Sequence, residues 1–467
     1  MSPLYLIVLL PLAMAVPVYL LRRWAALASL LAGATALALI GLWARIPPDE
    51  SAQVLGRPLA FSPLSRLALP LLFAVLALMA LYARSVPQGW GFLPFVLLFT
   101  GLLNAALMIH PFVLAVLLLE IAALPLAFTM RSPGAGSRYL VLVAASAPPL
   151  LLASWLMDLY ALHPDNLALI PMVVALLALG FGLLLAAVPL HLWLPAVAGG
   201  SPPMVTALLT VVFDLALLLL LVDLLKGLPW LATAPRMRGV LMGGGLLTAL
   251  GGGLLAFPQR RLGRLLAYSA IANLGFILVG LGVASATGVM GAALEFVSRA
   301  IALLLMAMGL GVIRCFGTPW FRYAFGHSTQ AATQHKRQAP GDALADLGQA
   351  ASRVPLAVAA FVFGGMALSG FPLSGGFPGH WLIYLAAFQR EPWQAYLLLL
   401  ASALLFLGHL RALRAALSLR SEVAWGRGSW LVRGMIILLI VCSVIMGLYP
   451  QILLRPILPG IGDLTFL

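Results

Sequence analysis

Long apolar segments without charged residues recur along this chain, and they constrain its fold more than any other feature. A bilayer core about 30 Å thick is crossed by a helix of roughly 20 apolar residues. Runs such as residues 113–119 and 215–222 are continuously apolar, whereas the strands of a membrane β-barrel alternate polar and apolar positions. Only 9% of the residues are charged, against roughly 25% in soluble domains. The sequence therefore predicts an all-α integral membrane protein.

The apolar runs predict about fourteen transmembrane helices. They lie near residues 3–21, 25–44, 64–83, 90–109, 111–130, 139–159, 167–190, 204–225, 239–257, 263–283, 287–313, 354–389, 393–413 and 430–454. The first run has no basic residues before it and no clear cleavage site, so we interpret it as a span and not as a signal peptide.

Positive charge is distributed unevenly over the links between these spans. Of the 27 Lys and Arg residues, 18 fall on odd-numbered links, 8 on even-numbered links and the C-terminus, and one, Arg299, inside a span. The positive-inside rule then predicts that the odd links are cytoplasmic and that both termini face the other side of a prokaryotic-type inner (plasma) membrane. The net charge of +14 is thus explained by topology, and nucleic acid is not an expected partner.

One link is long and polar, from residue 316 to residue 353. Four basic residues lie near its centre, His327, His335, Lys336 and Arg337. The simplest interpretation is a solvated cytoplasmic loop, and a metal site or a partner-binding site is the alternative. We interpret the two cysteines, Cys315 and Cys442, as packing residues, because they lack metal-ligand spacing. The sequence shows no nucleotide motif and no cysteine cluster, so no cofactor and no redox active site is expected on this chain.

Two spans are interrupted by proline and glycine, the seventh by AAVPLHLWLPAVAGGSPPM and the twelfth by LSGFPLSGGFPGHW. The residues expected to break the helices are Pro189, Pro195, Gly375, Gly376 and Pro378. Non-helical backbone at membrane depth is tolerated where it is buried in protein or lines a wet cavity. Paired interruptions indicate a transporter built from inverted repeats, and simple kinks at helix ends are the alternative.

Four motifs resemble a known family. They are LLLEIAALPLAF in the fifth span, VPLHLWLPAVAGGSPP after the seventh, RLLAYSAIANLGFILVG in the tenth and LSGFPLSGGFPGHWLIYLAAF in the twelfth. In this order, over roughly residues 90–420, the chain resembles the antiporter-like subunits of respiratory complex I. These are related to subunits of multisubunit sodium/proton antiporters and of membrane-bound hydrogenases.

The resemblance implies a fold of two inverted five-helix repeats, each with a broken helix. The expected parts are helices 1–3 in residues 1–89, the first repeat in 90–226, the second in 239–413, and a last helix with a tail in 430–467. The implied role is proton translocation, possibly of Na⁺ instead, coupled to electron transfer in partner subunits. Those partners are other membrane subunits and a hydrophilic arm that would hold iron–sulfur clusters, flavin or a nickel–iron site, and lipids surround the chain.

Glu120 lies in the middle of its span, where a charge costs a few kcal/mol unless it is paired, hydrated or neutralised. It matches a glutamate of the family, so a proton-path role is favoured over a structural hydrogen bond. His380 follows the twelfth-span break, where the family usually has a lysine, and histidine titrates near neutrality. The seventh-span lysine of the family would fall near Leu184 and is absent, so Glu120 lacks its usual partner.

Other polar residues in the spans are candidates with open alternatives. Asp214 lies near the position of an eighth-span lysine in the family and could relay protons, bind a cation or pair with a neighbouring helix. His191 could replace the missing lysine, but a helix-end histidine at the membrane surface is the preferred interpretation.

Two pairs of residues share a helix face, since their members are four residues apart. Glu295 and Arg299 in the eleventh span could form an internal ion pair or belong to a central polar path. Ser269 and Asn273 in the tenth span could hold water in that path or bind helices together.

The sequence thus predicts a proton-translocating subunit of a complex I-like assembly. A structural paralogue that has lost pumping is the second hypothesis, favoured by the missing lysine and by Asp214. A sodium/proton antiporter subunit or a stand-alone ion-coupled transporter is the third.

Overall fold

The computed structural model describes residues 2–47, 50–54, 56–130, 132–315, 342–418 and 429–455, and it is almost entirely helical. In chain order the helices are α1 (Pro3–Leu20), α2 (Ala25–Arg45), α3 (Pro63–Ser85), α4 (Phe92–Met108), α5 (Phe112–Ala123), α6 (Pro133–Leu162), α7 (Leu169–Leu184), α8 (Trp193–Gly200), α9 (Pro203–Ala207), α10 (Asp214–Gly227), α11 (Pro229–Ala232), α12 (Pro235–Ala256), α13 (Leu262–Gly282), α14 (Ala286–Cys315), α15 (Leu347–Arg353), α16 (Pro355–Leu368), α17 (Gly376–Arg390), α18 (Pro392–Leu417) and α19 (Trp430–Leu448). Short 3₁₀ turns lie at Leu21–Arg23, Leu124–Thr129 and Leu344–Asp346, and a π-helical turn at Leu208–Phe213 joins α9 to α10.

The predicted all-α membrane class is confirmed. Within the described ranges, eleven helices are long and apolar enough to cross a membrane. The remaining predicted spans correspond to shorter apolar helices, α4, α7 and α16, of 17, 16 and 14 residues. In the described part of the chain these two groups together match the positions of the fourteen predicted spans; the three short helices arise because two of the predicted spans break and α4 has 17 residues.

Proline sets the first residue of many of these helices, since its fixed φ suits the first turn and its missing N–H costs nothing there. Helix α3 begins at Pro63, where the Ser62 hydroxyl accepts a hydrogen bond from the Ser65 amide at 3.0 Å. Helix α6 begins at Pro133, six residues before the start that hydropathy predicted. These start signals explain why the apolar runs alone misplace the helix ends.

The link between α2 and α3 contains the one β-sheet in the described ranges, an antiparallel hairpin of β1 (Ala52–Val54) and β2 (Arg57–Leu59). Ala52 pairs with Leu59, and these two side chains are buried while the others in the hairpin are exposed. Leu59 also forms a bridge with Ile109, which attaches the hairpin to the end of α4.

The interior of the bundle is formed by Pro203–Gly227, α13 and α14. In their most apolar windows 94%, 94% and 83% of the residues are buried inside the protein. The corresponding share is 28% for Pro3–Arg23 and for α19, so these helices direct most side chains outward, where a membrane protein meets lipid. Polar side chains in the middle of these helices, such as Asn273, Glu295 and Arg299, are consequently shielded from both lipid and solvent.

The seventh predicted span breaks after α7, and residues 185–192 form turns before α8 begins. Two side chains satisfy backbone groups at this break: Trp193 donates its indole N–H to the Leu183 carbonyl at 2.9 Å, and Thr248 accepts from the Val188 amide at 3.2 Å. Pro189 lies in the break, whereas Pro195 lies in the first turn of α8.

The twelfth predicted span breaks between α16 and α17, and residues 369–375 form turns. Gly375 ends this segment, Gly376 begins α17 and Pro378 lies in its first turn. A side chain on Gly376 would overlap the Ala367 carbonyl oxygen, so only glycine allows the two half-helices to approach this closely. Gly370 adopts a φ of 75°, which likewise favours glycine.

The part of the long polar link that the structure describes begins at Asp342, and this residue is anchored to neighbouring segments. Arg314 contacts the Asp342 carboxylate at 2.6 Å and also donates to the Ser201 and Ala198 carbonyls. The Gly263 amide donates to the same carboxylate. The loop residues singled out in the sequence, His327, His335, Lys336 and Arg337, lie outside the described residues.

Candidate functional site

Arg299 lies at the centre of the protein, on α14, with 1% of its surface exposed. Its guanidinium donates to the Asp214 carboxylate at 2.7 Å, to the Thr210 carbonyl at 3.0 Å and to the Ala270 carbonyl at 2.6 Å. It thereby connects α14 to α10 and to α13. The pairing explains how a permanent cation is tolerated in the membrane interior, because a buried charge needs both an opposite charge and hydrogen bonds.

The π-helical turn Leu208–Phe213 brings Asp214 and the Thr210 carbonyl to the same guanidinium. A π turn holds one more residue per turn than an α turn, and such turns are frequent at functional sites. All six residues of this turn and Asp214 itself are buried. The eighth-span aspartate is therefore paired with a neighbouring helix, one of the roles that the sequence left open.

Asn273 on α13 connects this ion pair to a second one. Its side-chain oxygen accepts from Arg299 at 3.3 Å, while its amide nitrogen donates to Glu295 at 2.5 Å and to the Leu368 carbonyl at 3.3 Å. Leu368 is the last residue of α16, so Asn273 also contacts the edge of the twelfth-span break.

Glu295 on α14 pairs with His380 on α17, with 2.8 Å between the carboxylate and Nδ1. Nδ1 also lies 3.1 Å from the Gly376 carbonyl. Both side chains are fully buried, and Nε2 of His380 has no hydrogen-bond partner among the described residues. A side chain on Gly379 would press on Glu295, so a glycine of the broken helix makes room for this carboxylate.

The result is one continuous chain of buried polar side chains across four elements. In order its members are Asp214, Arg299, Asn273, Glu295 and His380. The sequence left open an internal pair between Glu295 and Arg299; in the structure each has another ionic partner and Asn273 lies between them. When His380 is protonated, the negative charges of the two carboxylates are balanced by the positive charges of Arg299 and His380. Arginine keeps its proton in proteins, so the carboxyls and the imidazole are the groups that can exchange one.

Glu120 on α5 lies apart from this chain of hydrogen bonds. It accepts from the Ser146 hydroxyl at 2.6 Å and is partly exposed. No cation pairs with it in the portion of the chain that the structure describes, and Leu184, where the family has a lysine, is buried at the end of α7.

His191 lies in the first break, 7% exposed, with its ring 6.0 Å from the Tyr268 ring. The preferred interpretation, a helix-end histidine at the membrane surface, stays a prediction; the structure adds that this ring is buried in the protein near Tyr268 of α13. Its Nδ1 has no hydrogen-bond partner among the described residues.

Two ionisable residues of the spans escaped the sequence analysis. His409 on α18 is fully buried and lies 2.8 Å from the Ser269 hydroxyl. Asp223 on α10 accepts from the Ser62 and Ser65 hydroxyls at 2.6 and 3.3 Å. The rule that selected Glu120 would have found both, since each is an ionisable residue within a predicted span.

Asp223 borders a cavity of about 590 Å³ whose lining includes His110, Asp158 and Lys226. The lining of this cavity as a whole flanks the second, fourth, sixth and eighth links, all of them even-numbered. In the described ranges, no group of three or more His, Cys, Asp or Glu residues is arranged to hold a metal ion.

This chain is similar to known proteins over the region that contains the four motifs. A family model described as NADH:quinone oxidoreductase/Mrp antiporter, transmembrane, matches residues 112–405. Formate hydrogenlyase subunit 3 of Escherichia coli is 34% identical over 238 residues, covering 49% of this chain and 36% of that protein. NADH-quinone oxidoreductase subunit N of Heliobacterium modesticaldum is 32% identical over 285 residues, covering 57% and 54%. The aligned part thus spans about a third to a half of these curated relatives.

The fold has counterparts among solved structures. A chain in the structure of the membrane-bound sulfane sulfur reductase, an archaeal respiratory membrane complex, superposes with a TM-score of 0.82. The superposition covers 100% of this chain and 98% of that chain at 19% identity, so it shows a shared fold. The family match covers more than half of the 467 residues and includes every member of the buried polar chain. The protein belongs to the NADH:quinone oxidoreductase/Mrp antiporter transmembrane family, as the motifs predicted.

Proposed function

We propose that this chain is an ion-translocating membrane subunit of a multisubunit respiratory assembly and that the ion is the proton. The observation that carries the proposal is the unbroken series of buried hydrogen bonds from Asp214 to His380. Ionisable groups at membrane depth are costly and mark ion pathways. Here they lie on the three interior helices and at the twelfth-span break, where backbone and side chains can change arrangement.

Glu295 and His380 are the pair that takes up and releases the proton. The carboxylate and the imidazole share one hydrogen bond, so a proton arriving on either side chain changes the charge of the pair by one. Arg299 stays charged and holds Asp214 and Asn273 in place, which keeps a fixed positive charge next to Glu295. Departure of the proton leaves the carboxylate facing this cation through Asn273, and the site is ready to load again.

Energy for uphill transfer would come from partner subunits. Curated relatives bear the names of subunits of NADH-quinone oxidoreductase and formate hydrogenlyase. We propose that iron–sulfur clusters, flavin or a nickel–iron site lie in a hydrophilic arm and not on this chain. We also propose a plasma-membrane location with both termini outside the cytoplasm, and the repeats 90–226 and 239–413 as the two halves of the translocating unit.

The decisive experiment measures the number of protons moved per electron by the intact assembly. The assembly is purified by an affinity tag on this chain and reconstituted in liposomes. NADH, formate and hydrogen are supplied in turn, and the donor that drives electron flow is kept. Glu295→Gln preserves size and hydrogen bonding but removes the charge, and we expect it to lower the ratio while electron flow continues. Glu391→Gln is the control, because Glu391 is exposed in the link before α18. An unchanged ratio in Glu295→Gln would refute the proposal.

The second candidate is a structural paralogue that no longer pumps. It is favoured by Leu184 in place of the family's lysine and by the lack of a cation beside Glu120 in the described part. In the same assay, Glu120→Gln tests a proton path through the first repeat, whereas Glu295→Gln tests a proton path through the second repeat. If neither Glu120→Gln nor Glu295→Gln alters proton transfer, the chain acts as a scaffold. Parallel measurement of radioactive sodium uptake distinguishes a sodium/proton antiporter subunit.

A further inference from the structure

His409 is a fully buried histidine on α18 that the polar chain does not include. Its Nε2 lies 2.8 Å from the Ser269 hydroxyl, and its Nδ1 has no hydrogen-bond partner among the described residues. The ring lies directly against Gly365 of α16, where any side chain would overlap it. The protein therefore reserves space for an imidazole between α13, α16 and α18.

Ser269 relates this histidine to the central site. Ser269 and Asn273 are four residues apart on α13, so they lie on one face a single turn from each other. Both are fully buried. Asn273 donates to Glu295, while Ser269 faces His409. The face of α13 that carries the Glu295 contact thus continues for one turn to the imidazole.

The ends of α13 and α18 indicate toward which face of the membrane Ser269 and His409 lie. Ser269 lies closer than Asn273 to the start of α13 at Leu262, and His409 lies in the second half of α18, which ends at Leu417. Both ends adjoin odd links, which the distribution of basic residues places in the cytoplasm. His409 consequently lies between the Glu295 site and the cytoplasmic face.

A purely structural role would not account for all of these features. A hydroxyl or amide is enough to bind two membrane helices together. An imidazole with one unpartnered ring nitrogen costs free energy in a buried site. A neutral imidazole accepts a proton on one nitrogen and releases one from the other, which suits a relay better than a fixed contact.

We propose that His409 and Ser269 form the proton-conducting arm between the cytoplasmic face and the Glu295 site, an inference that rests on the proposed function. A proton from the cytoplasmic side binds Nδ1, and Nε2 passes its proton to the Ser269 oxygen. The Ser269 hydroxyl turns from the Leu265 carbonyl and gives its own proton to a water molecule, which delivers it to the Glu295 carboxylate. His409 and Ser269 each end with the number of protons they had, with the imidazole in its other tautomer, and Glu295 ends protonated.

The arm also defines the ion that it conducts. Among the described residues, no carboxylate forms a hydrogen bond or an ion pair with His409 or Ser269. Sodium requires several oxygen ligands, whereas a proton passes along a hydroxyl and an imidazole. The arm therefore conducts H⁺ and excludes Na⁺.

The test uses His409→Gln in the reconstituted assembly, with electron flow, proton uptake and radioactive sodium uptake measured together. Glutamine fills a similar space and can keep a hydrogen bond to Ser269, but it cannot relay a proton. We expect proton uptake per electron to fall roughly tenfold or more, as for loss of a positioned proton-transfer group. His163→Gln is the control, since His163 is exposed in the link after α6.

Ser269→Ala is the second variant, because it removes the relay hydroxyl and leaves the histidine in place. It should also lower proton uptake, and it decides the question if His409→Gln fails to assemble. Normal proton uptake in an assembled His409→Gln or Ser269→Ala variant, with Glu295→Gln impaired, would overturn the arm and leave the proposed function standing. Loss of sodium uptake in parallel with proton uptake would contradict proton selectivity.

Discussion

Asp214 and Arg299 form an ion pair between residues 85 positions apart, and the pair is shielded from lipid and water. Breaking a buried pair by removing one partner costs roughly 3–5 kcal/mol, because an uncompensated charge remains. Replacing both partners by neutral groups costs much less. The contribution of this pair to stability is therefore visible only when single and double substitutions are compared.

Arg299→Met is expected to destabilise the purified assembly by roughly 3–5 kcal/mol, since it leaves Asp214 buried without its cation. Adding Asp214→Asn should restore part of that loss. Loss of soluble assembly during a temperature ramp in detergent measures both variants. Arg236→Met is the control, because Arg236 is exposed at the start of α12. Equal stability of the single and the double variant would argue against the pair.

At the residue scale, the sequence identified the ionisable members of the buried polar chain but not how they pair, and it did not single out His409 or Asp223. Asp214, Glu295, Arg299 and His380 were all candidates because each interrupts an apolar span. Their partners come from other helices, and one sequence carries no pattern that reports such contacts. The Glu295–Arg299 spacing even favoured a pair that is not formed, since Asn273 lies between the two side chains.

At the scale of elements, the breaks in the seventh and twelfth spans are the features most clearly encoded in the sequence. Proline and glycine cluster at both breaks, whereas single prolines such as Pro11 and Pro70 lie inside continuous helices, so the local clustering marks the positions of the breaks. The π turn before Asp214 has no such signal in LLTVVF, a run of ordinary apolar residues and one threonine. Its Thr210 carbonyl accepts a hydrogen bond from Arg299 of a different helix, a contact that the local sequence does not report.

Gly376→Ala is expected to disrupt the twelfth-span break, because the added methyl group would overlap the Ala367 carbonyl where the half-helices meet. The expected result is lower assembly yield and less proton transfer, as α17 shifts and carries His380 away from Glu295.

Gly243→Ala is the matched control, since nothing lies within 4 Å of the position that its side chain would occupy. In the middle of α12, alanine should leave stability unchanged or raise it by roughly 0.5–1 kcal/mol. Normal yield and proton transfer in Gly376→Ala would show that the close approach at the break is not required.

At the scale of the whole molecule, the polar cavity lies beside the links that carry few basic residues. Odd links carry most of the Lys and Arg residues, and the links around the Asp223 cavity are all even. In the proposed orientation, the Asp223 cavity opens outside the cytoplasm and His409 lies toward the cytoplasmic side.

Single-cysteine labelling tests this orientation. In a background with Cys315→Ser and Cys442→Ser, we expect Ser51→Cys to react with a membrane-impermeant maleimide in intact cells or spheroplasts. Ser418→Cys should react only in inverted vesicles, because its link is odd. Both positions are exposed, so a failure to react reports sidedness and not burial. The reverse labelling pattern would invert the assignment of both faces.

The sequence by itself determined the membrane class, the positions of the breaks, the family and the ionisable members of the buried polar chain, because hydropathy, helix breaking and motif order are local properties of the chain. Only the tertiary structure decided which of those residues touch. The link from Asp214 to His380, the isolation of Glu120 and the contact of His409 with Ser269 all depend on how distant helices pack side by side. Lateral packing is set by shape complementarity between many side chains at once, and no single segment encodes it.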